Sequence, residues 1–532
     1  MRHEENRKTG KVWLVGAGPS DPGLLTLRGR QVLQKAEVVL YDALVGPGIT
    51  AMIPDHAGRV YVGKRSGNHA MPQEQINRLL VDYALDGKRV VRLKGGDPFL
   101  FGRGGEELEM LAERGIPFEV VPGVTSALSV PAYQGIPVTH RDLCSSIHVV
   151  TGHFQEGSVS HIDFEALVRA GGTLLFLMGV SALGEICRGL LDAGMDPDVP
   201  AALLMQGTTA RQERILASVG TLPREAVRRG AKAPAVLAVG EVCALSERFS
   251  WYEKLPLGGV RVLLTRPPEL IGGTAEKLRD LGAEVWEMPA IRTVRRENNT
   301  VLREALRRLE QYQWLVFTSP AGVRIFFEEL RDRRTDVRRL GGIRIAVMGN
   351  GTGKALEKYG MYPDVMPEIY DGEHLGKAIA EAGHPGERVL IPRASAGNRE
   401  LVDALSHMNA DDIPVYDTVY AESDTAGTVR AELENGGIDY VIFTSASCVR
   451  GLASALGCAD AVSAHAGNDC AEAFRDTETV RNVLSGVKAI CIGRQTAREA
   501  ETLGMRIYVA ERADEDSLIE CLVRAESGNV QG

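Results

Sequence analysis

The sequence predicts an α/β protein made of two parts, and three observations lead to this prediction. Strand-like runs alternate with helix-like runs through the first half of the chain, which is typical of α/β architecture. The second half repeats one cycle of motifs, which indicates two similar α/β lobes. The chain has 532 residues, of which 44% are hydrophobic and 25% charged, so it has the length of several domains and the composition of an ordinary globular protein.

Composition also argues against several classes of function. The net charge of −9 disfavours a nucleic-acid or anionic-membrane partner. The eight cysteines form no C-x-x-C pair, so neither a zinc site nor a disulfide framework is indicated, and a reducing cytoplasm is expected. The first ten residues are polar and do not resemble a signal segment, and no apolar stretch is long enough to span a bilayer. We therefore expect a cytoplasmic protein.

The first half of the chain is predicted to contain eight strands. The pattern lapses at Ser246–Gly259, so we place a boundary there, with a polar leader at 1–10, a first domain at 11–248 and a linker at 249–258. The predicted strands are Lys11–Val15, Glu37–Leu40, Arg89–Leu93, Phe118–Val121, Ile147–Val150, Thr173–Met178, Ala201–Met205 and Ala235–Val239.

A glycine-rich loop marks the candidate site of this half. The stretch from Lys88 reads KRVVRLKGGDPFLFGRGGEE, in which a β-branched run breaks into Gly95-Gly96-Asp97-Pro98 before a helix begins. Paired glycines let another molecule approach the main chain closely. Open α/β sheets bind ligands at the carboxyl ends of their strands, where this loop lies. An ordinary strand-to-helix connection is the alternative, but the length and charge of the loop favour a ligand site.

The start of the chain contains part of a dinucleotide-binding fingerprint. The stretch from Lys11 reads KVWLVGAGPSDPGLL, in which a strand ends in Gly16-Ala17-Gly18, and Asp42 stands where a ribose-binding acid would. Pro19 and Asp21 interrupt the fingerprint, and the helix starts late, so the pyrophosphate cradle is disrupted. An oxidoreductase that uses NAD(P) stays open as the less favoured alternative.

A near-continuous set of motifs over about residues 10–248 resembles the uroporphyrinogen-III C-methyltransferases of the tetrapyrrole methylase family. The motifs are VGAGPSDPGLLTLRG, YDALV, VGKRSGNHAMPQEQIN, RLKGGDPFLFGRGGEE, VVPGVTSA, QGIPVTHR, VVTGH, LMGV and GTTARQ. The resemblance implies two α/β subdomains around a cleft, S-adenosylmethionine as methyl donor and uroporphyrinogen III as acceptor. Methylation at C2 and C7 would give precorrin-2. A homodimer through this domain is also expected.

The resemblance implies site residues as well. Asp42 and Lys64 correspond to the proton acceptor and proton donor, although Asp42 is also suited to a loop hydrogen bond. Arg65, Arg103 and Arg141 are candidates for substrate carboxylates, because guanidinium groups suit them geometrically. Ser20 departs from the family, which usually has glycine there. The histidines show no zinc spacing, so no metal is expected. Donor-binding positions fall on Pro19, Gly95, Gly96, Asp97, Leu100, Thr125, Ser126, Met178 and Gly207.

The second half of the chain contains an internal duplication. WLVFTSPAGVRIFFEEL from Trp314 matches YVIFTSASCVRGLASAL from Tyr440, and the whole cycle reads RVLL–R, P-x-x-x-T-V, FTS, G-x-x-T. Two similar lobes are predicted, joined by the P-x-x-x-T-V segments as crossing strands. Within a domain at 259–525, lobe one takes 259–290 and 420–525, and lobe two takes 295–415. Two such lobes leave a cleft between them.

This half resembles uroporphyrinogen-III synthase, on the motifs RVLLTRP, VFTSPAGV, IPRA, PVYDTV, FTSASCV and IGRQTA over about residues 259–522. The resemblance implies closure of hydroxymethylbilane with inversion of its last ring and loss of water. Tyr416 matches a tyrosine proposed to assist departure of the hydroxyl group. Helix caps are the alternative role for the strand-end hydroxyls. The predicted substrate contacts are Arg266, Ser319, Thr352, Arg393, Ser445 and Thr496.

The two resemblances support one another, because the product of the second half would be the substrate of the first. We therefore expect a bifunctional enzyme that takes hydroxymethylbilane to precorrin-2, with a separate protein completing sirohaem or a related tetrapyrrole. A non-catalytic, two-lobed binding module is the alternative for the second half.

Overall fold

The computed structural model describes residues 9–63, 71–152, 162–397, 399–457 and 477–528. The chain divides into two compact units: one runs to Val262 and includes Ala275–Glu287, and the other comprises Leu263–Thr274 and the chain from Met288. The domain and lobe bounds given above stay a prediction. No helix in the described part of the chain is long and apolar enough to cross a membrane.

The first sheet is parallel and has the strand order β3-β2-β4-β1-β5. Its strands are β1 (Lys11–Gly16), β2 (Val38–Tyr41), β3 (Gly58–Tyr61), β4 (Arg89–Lys94) and β5 (Phe118–Val121). The helices of this region are α1 (Leu27–Leu33), α2 (Pro47–Thr50), α3 (Gln73–Leu85), α4 (Gly104–Glu113) and α5 (Ser126–Tyr133).

The second sheet is mixed and has the order β6-β7-β10-β8-β9, in which only the first pair is parallel. Its strands are β6 (Ile147–Thr151), β7 (Thr173–Leu177), β8 (Pro200–Met205), β9 (Glu213–Ser218) and β10 (Ala235–Val239). The helices here are α6 (Phe164–Ala170), α7 (Leu183–Asp192), α8 (Leu222–Arg228) and α9 (Ser246–Phe249).

Both faces of the first sheet are covered, and alternate residues of each strand enter different cores. In β1, Val12 and Leu14 pack on one face and Val15 packs on the other. The side-chain period of two in a strand produces this division. Burial on both faces explains why β1 and β2 contain continuous apolar runs in the sequence.

The second half contains two further five-stranded sheets, with the orders β12-β11-β18-β19-β20 and β13-β17-β16-β14-β15. The strands are β11 (Arg261–Leu264), β12 (Glu284–Glu287), β13 (Ile291–Arg295), β14 (Trp314–Phe317), β15 (Arg344–Val347), β16 (Arg388–Ala394), β17 (Asn409–Tyr420), β18 (Tyr440–Phe443), β19 (Lys488–Cys491) and β20 (Arg506–Val509). The helices are α10 (Pro268–Asp280), α11 (Thr300–Arg307), α12 (Pro320–Asp332), α13 (Asn350–Glu357), α14 (Gly372–Ala382), α15 (Glu400–Ala404), α16 (Ala426–Glu434), α17 (Ala446–Gly457), α18 (Thr477–Leu484), α19 (Arg494–Glu501) and α20 (Glu515–Glu526).

The duplication in the sequence appears as a repeated strand order. β11, β18 and β19 are adjacent in one sheet, and their sequence equivalents β16, β14 and β15 are adjacent in the same order in the other. β13 and β17, which carry the two P-x-x-x-T-V motifs, pair antiparallel with Thr293 opposite Thr418. The predicted crossing strands therefore lie side by side.

All eight strands predicted for the first half are present, within two residues at each end. Two further strands, β3 and β9, were not predicted, and both lie at the edges of their sheets. Both strands are largely half-exposed, and neither has a continuous apolar run.

Candidate functional site

Three loops meet at the carboxyl edge of the first sheet, and glycine lets them approach. Gly16 is the last residue of β1, while Gly96 follows β4 and Gly123 follows β5. A Cβ atom on Gly16 would lie 2.5 Å from the Cα of Gly123 and 2.7 Å from the carbonyl oxygen of Gly96. The main chains of Gly18 and Gly96 also exchange two hydrogen bonds, of 3.2 and 2.9 Å. The glycine pair predicted to receive a ligand thus serves first to join loops to one another.

Asp97 fastens this junction. Its Oδ1 accepts hydrogen bonds from the main-chain N–H groups of Phe99 (2.8 Å) and Leu100 (3.1 Å). Its Oδ2 accepts one from the N–H of Gly123 (3.1 Å), across the junction. The carboxylate therefore holds two of the three loops in position, and a contact with a donor molecule would use its remaining lone pairs.

The geometry at the end of β1 does not form a pyrophosphate cradle. The first α-helix after the Gly16–Gly18 loop begins only at Leu27, where the Thr26 hydroxyl accepts from the N–H of Gly29 (3.0 Å). The amide of Gly18 is already bonded to Gly96. Dinucleotide sites need a helix that begins directly after the glycines, with its N–H groups free.

Asp42, the predicted proton acceptor, lies at the end of β2 and is held from two sides. Its Oδ1 accepts from the N–H of Leu44 (3.1 Å), and its Oδ2 accepts from Nη2 of Arg92 (3.3 Å). The Asp42 side chain is 25% exposed, whereas that of Arg92 is 4% exposed. The carboxylate is thus oriented from the protein side and reachable from outside.

Beneath Asp42 lies a buried charge cluster that we define as Arg92, Lys94 and Glu107. Glu107 is fully buried, and its Oε1 accepts from Nε of Arg92 (3.1 Å) and from Nζ of Lys94 (2.9 Å). Burial and the neighbouring charge of Arg92 lower the pKa of Lys94, while Glu107 opposes that shift. The cluster is a stiff support for Asp42, because removing one buried partner leaves another charge uncompensated.

Residues from both sheets of the first half come together here. The Thr208 hydroxyl, just after β8, donates to the carbonyl oxygen of Pro19 after β1. Gly207 packs against Val130 of α5, where a Cβ atom would overlap the valine side chain. Thr125 caps the same helix, its hydroxyl accepting from the N–H of Ala127 (3.2 Å).

Strained backbone is concentrated in the loops of this region. The described residues include eight non-glycine residues with positive φ. Six of them lie in the loops after β1, β4, β7 and β8, namely Ser20, Phe101, Arg103, Met178, Gln206 and Thr208. Such conformations cluster at functional sites, where the surrounding structure enforces them. Ser20 has a φ of 98°, which explains why glycine suits this position.

The remaining predicted residues of this half differ in their surroundings. Lys64 and Arg65 lie outside the described residues. Arg103 donates to the neighbouring Glu106 through Nε (2.8 Å) and Nη2 (2.6 Å), and Arg141 is exposed. The side chain of Met178, one of the predicted donor-binding positions, is 47% exposed at the end of β7.

In the second half, the structure brings together two of the predicted residues. The hydroxyl groups of Tyr416 and Ser319 are 2.8 Å apart. Ser319 also caps α12, accepting from the N–H of Gly322 (3.1 Å). The register of β17 against β16 shifts between Arg393 and Ala394, beside Tyr416, and such irregularities re-aim side chains near active sites.

The Tyr416 side chain is buried, and this burial raises the pKa of its phenol, which its bond to Ser319 and the charge of Arg324 oppose. The phenol therefore keeps its proton at neutral pH. It is consequently a hydrogen-bond or proton donor rather than a base.

The other predicted hydroxyls serve the fold. Ser445 is the equivalent of Ser319 and accepts from the N–H of Cys448 (3.2 Å). Thr352 and Thr496 occupy equivalent first turns of α13 and α19, and each is only 4% exposed. Contact of either threonine with a substrate would require movement of the residues that cover it.

The two predicted arginines of this half already have acidic partners. Arg393 donates to both carboxylate oxygens of Asp412, at 2.7 and 2.6 Å. Nη1 of Arg266 donates to Oε2 of Glu515 at 2.6 Å and also to the hydroxyl of Thr274. Binding of a substrate carboxylate by either arginine would require it to exchange partners.

Sequence reasoning did not identify Glu107 or Thr208 as parts of the site. Glu107 follows another glutamate at the start of a helix, where acidic residues are common because of the helix dipole. The sequence therefore does not indicate that Glu107 is buried. Thr208 stands in the quoted motif GTTARQ, and its positive φ of 68° is visible only in the fold.

Two family models match the chain. "Tetrapyrrole (Corrin/Porphyrin) Methylases" matches residues 11–223, and "Uroporphyrinogen-III synthase HemD" matches residues 273–520. Porphyrin biosynthesis protein HemD of Ruminiclostridium josui is 44% identical over 523 residues, which cover 98% of this chain and 99% of that protein.

Two further relatives match less than half of the chain. Siroheme synthase of Pseudomonas putida (strain W619) is 52% identical over 244 residues, which cover 46% of this chain and 52% of that protein. The chain thus spans about half the length of that relative. A crystal structure of uroporphyrin-III C-methyl transferase from Thermus thermophilus, complexed with S-adenyl homocysteine, is 42% identical, with a TM-score of 0.38. The match covers 44% of this chain and 99% of that one.

Proposed function

The chain belongs to the family of porphyrin biosynthesis proteins that join a tetrapyrrole methylase to a uroporphyrinogen-III synthase, and we propose that it converts hydroxymethylbilane to precorrin-2 in two steps. The second half closes hydroxymethylbilane to uroporphyrinogen III, inverting the last ring and releasing water. The first half then methylates C2 and C7 with S-adenosylmethionine. We also propose a homodimer through the first domain, which light scattering of the full chain tests.

One observation carries the proposal for methyl transfer: the Asp42 carboxylate is both oriented and reachable. Arg92 and the Leu44 amide fix its direction, and a quarter of its surface stays exposed. Methylation of a pyrrole carbon must be followed by loss of a proton, and a positioned carboxylate is suited to accept it.

The residues at the loop junction fit the methyl donor. A Cβ atom on Gly96 would meet nothing nearer than the amide nitrogen of Ser126 at 4.0 Å, so a ligand has room against the main chain there. The exposed, adaptable apolar side chain of Met178 is suited to contact with the adenine ring of the donor. When bound, S-adenosylmethionine supplies the methyl group on its sulfonium. The chain supplies alignment, which Asp97 secures by fixing two loops.

In the synthase half, the proposed donor of the proton to the departing hydroxyl is the phenol of Tyr416. Its burial keeps it protonated, and the Ser319 hydroxyl at 2.8 Å fixes its direction. Departure of water leaves a reactive carbon, so the remaining work of the protein is to hold the substrate in the conformation that closes at the inverted ring position.

A single experiment tests both steps. The full chain receives hydroxymethylbilane and a donor with a labelled methyl group, and the labelled methyls on the tetrapyrrole are counted. We expect two methyl groups on a product of the III isomer series. Formation of the I isomer alone would contradict the synthase assignment, and a product without label would contradict the methyltransferase assignment.

The nicotinamide alternative is tested by thermal shift of the full chain with either S-adenosylmethionine or NADH. Only a true ligand raises the melting temperature at modest concentration. Stabilisation by NADH and not by S-adenosylmethionine would overturn the methyl-transfer proposal.

A further inference from the structure

Arg324 forms an ion pair between the two lobes of the second half. It lies on α12, which begins after β14, and its Nη2 donates to Oε1 of Glu269 at 3.2 Å. Glu269 is in the first turn of α10, which follows β11 of the other sheet. Arg324 and Glu269 thus lie on the helices that follow β14 and β11. The carboxyl ends of these strands are where the predicted cleft lies.

Arg324 is held less firmly by its acidic partners than the two predicted substrate-binding arginines, Arg266 and Arg393. The side chains of Arg393 and Arg266 are 7% and 14% exposed and pair closely with acids. Those of Arg324 and Glu269 are 37% and 33% exposed, and their contact is longer. An exposed pair contributes little to stability, whereas breaking a buried pair is strongly unfavourable. Arg324 is therefore the arginine of these three that can exchange its partner most readily.

The position of Arg324 relates it to the candidate catalytic pair. Ser319, which contacts Tyr416, is the N-cap of the helix that carries Arg324. The positive charge of Arg324 is close enough to lower the pKa of the Tyr416 phenol against the effect of burial. A carboxylate bound to Arg324 would lie beside the group proposed to protonate the leaving hydroxyl.

Glu328 keeps Arg324 in place from its own helix. Oε1 of Glu328 accepts from Nη1 of Arg324 at 3.0 Å, one turn further along α12. This contact holds one edge of the guanidinium, while the other edge faces Glu269. The edge that faces the other lobe is the one that a second carboxylate would take, since the planar fork of arginine suits bidentate binding of acids.

We propose that Arg324 binds a carboxylate of the synthase substrate, and that Glu269 occupies Arg324 until this carboxylate displaces it. The proposal rests on the proposed synthase function, whose substrate carries several carboxylates. Glu269 thereby acts as an internal competitor. When the substrate binds, the contact between Arg324 and Glu269 is replaced by a contact between Arg324 and a substrate carboxylate.

The proposal makes two substitutions act in opposite directions. Arg324→Ala removes the receptor and is expected to raise the KM for hydroxymethylbilane roughly tenfold, the effect of one charged hydrogen bond. Glu269→Gln removes the competitor and is expected to lower the same KM severalfold. If the pair only held the lobes together, both changes would act in the same direction. A folding defect in either variant would not lower KM.

The measurement is the steady-state formation of uroporphyrinogen III by the full chain and its variants. Arg339→Ala is the matched control, because Arg339 is a comparably exposed arginine of the same lobe that pairs with Glu310 at 2.9 Å. Its KM should equal that of the wild type. Changes of the same sign in Arg324→Ala and Glu269→Gln, or no change in either, would overturn the proposal. A wild-type chain that forms no III isomer would instead overturn the synthase function itself.

Discussion

At the scale of single residues, the first half depends on one buried carboxylate, that of Glu107. It neutralises Arg92 and Lys94, and Arg92 in turn holds Asp42. Glu107→Gln leaves the buried Lys94 without its anion and Arg92 with only Asp42, so we expect the free energy of unfolding to fall by about 3 kcal/mol or more. Chemical denaturation of the full chain measures this change.

The neighbouring residue provides the control for that prediction. Glu106 is exposed and pairs with Arg103 on the surface, so Glu106→Gln should cost less than about 1 kcal/mol. Similar losses for the two variants would show that the buried charge cluster contributes nothing beyond an ordinary surface pair.

Glu119 should make the stability of the first half depend on pH in the acid range. Its carboxylate accepts from Lys11, Arg28 and Trp13, and these bonds, with that to Lys11 foremost, lower its pKa from 4.5 to about 2. Since the pKa is lower in the folded protein, the stabilisation is complete above pH 4.5 and is lost as the pH falls toward about 2.

The measurement for Glu119 compares the wild type with Glu119→Gln. The difference between their free energies of unfolding should be constant above about pH 5 and shrink as the pH is lowered. A difference that stayed the same across this range would contradict the assignment of the shift to the folded state.

How much of the site the sequence could predict depends on the kind of residue. Asp97 and Gly96 stand in an unusual glycine-proline loop after a strand, and this local pattern marks them. Glu107 carries the same letter as the exposed Glu106 beside it, and only the packing of α3 and α4 on the sheet decides which of the two is buried. Long-range packing of this sort leaves no trace in local sequence.

At the scale of elements, the main chains of the loops after β1, β4 and β5 lie so close together that a side chain at their contact does not fit. Gly123→Ala would place a methyl group against the carbonyl of Gly96 and the Cα of Gly16, 2.6 Å away. We expect a loss of about 1–3 kcal/mol in stability, the usual cost of overpacking, together with a loss of methyl transfer. Thermal denaturation and a methyl-transfer assay measure the two effects.

Gly105→Ala is the matched control, since a Cβ atom there meets nothing within 4 Å. Gly105 lies in the first turn of α4, where alanine should raise stability by up to about 1 kcal/mol through helix propensity. Equal behaviour of the two variants would show that the close approach of the loops is not what glycine provides at Gly123.

Comparison of the two equivalent helix caps, Ser319 and Ser445, distinguishes a structural role of Ser319 from a catalytic one. Ser319→Ala and Ser445→Ala each remove an N-cap, so each should lower the free energy of unfolding by about 1 kcal/mol. Only Ser319 also contacts Tyr416. Only Ser319→Ala should therefore lower kcat for ring closure, and an equal fall in kcat for both variants would contradict a specific role of the Tyr416–Ser319 pair.

Strand prediction found every strand inside the two sheets of the first half but missed two of their four edge strands, β3 and β9. β7 and β8 read as apolar runs because both faces of these strands are buried, whereas β9 reads ERILAS and has a mixed pattern. The edge position of β9 depends on its antiparallel pairing with β8, a contact that local periodicity does not report.

At the scale of the whole molecule, the duplication predicted the architecture of the second half better than any single motif did. Matched segments occupy matched positions in two sheets, and the two crossing strands pair with Thr293 opposite Thr418. The repeat did not reveal which copy of each hydroxyl acts in chemistry. That asymmetry comes from Tyr416, since the matching motif PAIRTV has isoleucine in place of tyrosine, at Ile291.

The two halves should perform their reactions independently, because the contacts of each candidate group stay within one unit. Asp97 bonds only to main-chain groups of the first half, among the described residues, and Tyr416 bonds to Ser319 within the second. Asp97→Ala releases the junction of loops, so donor binding should weaken about tenfold or more while uroporphyrinogen III still forms. Tyr416→Phe removes the proposed proton donor, so ring closure should slow by about a hundredfold while supplied uroporphyrinogen III is still methylated.

The two variants given hydroxymethylbilane and labelled donor should therefore fail at different points. Asp97→Ala should accumulate unlabelled uroporphyrinogen III, and Tyr416→Phe should yield little of it. Mixing the two variants should restore the doubly methylated product, because each supplies the step that the other lacks. If mixing did not restore it, the intermediate would have to pass between the halves of one chain without release, and the independence of the two sites would be wrong.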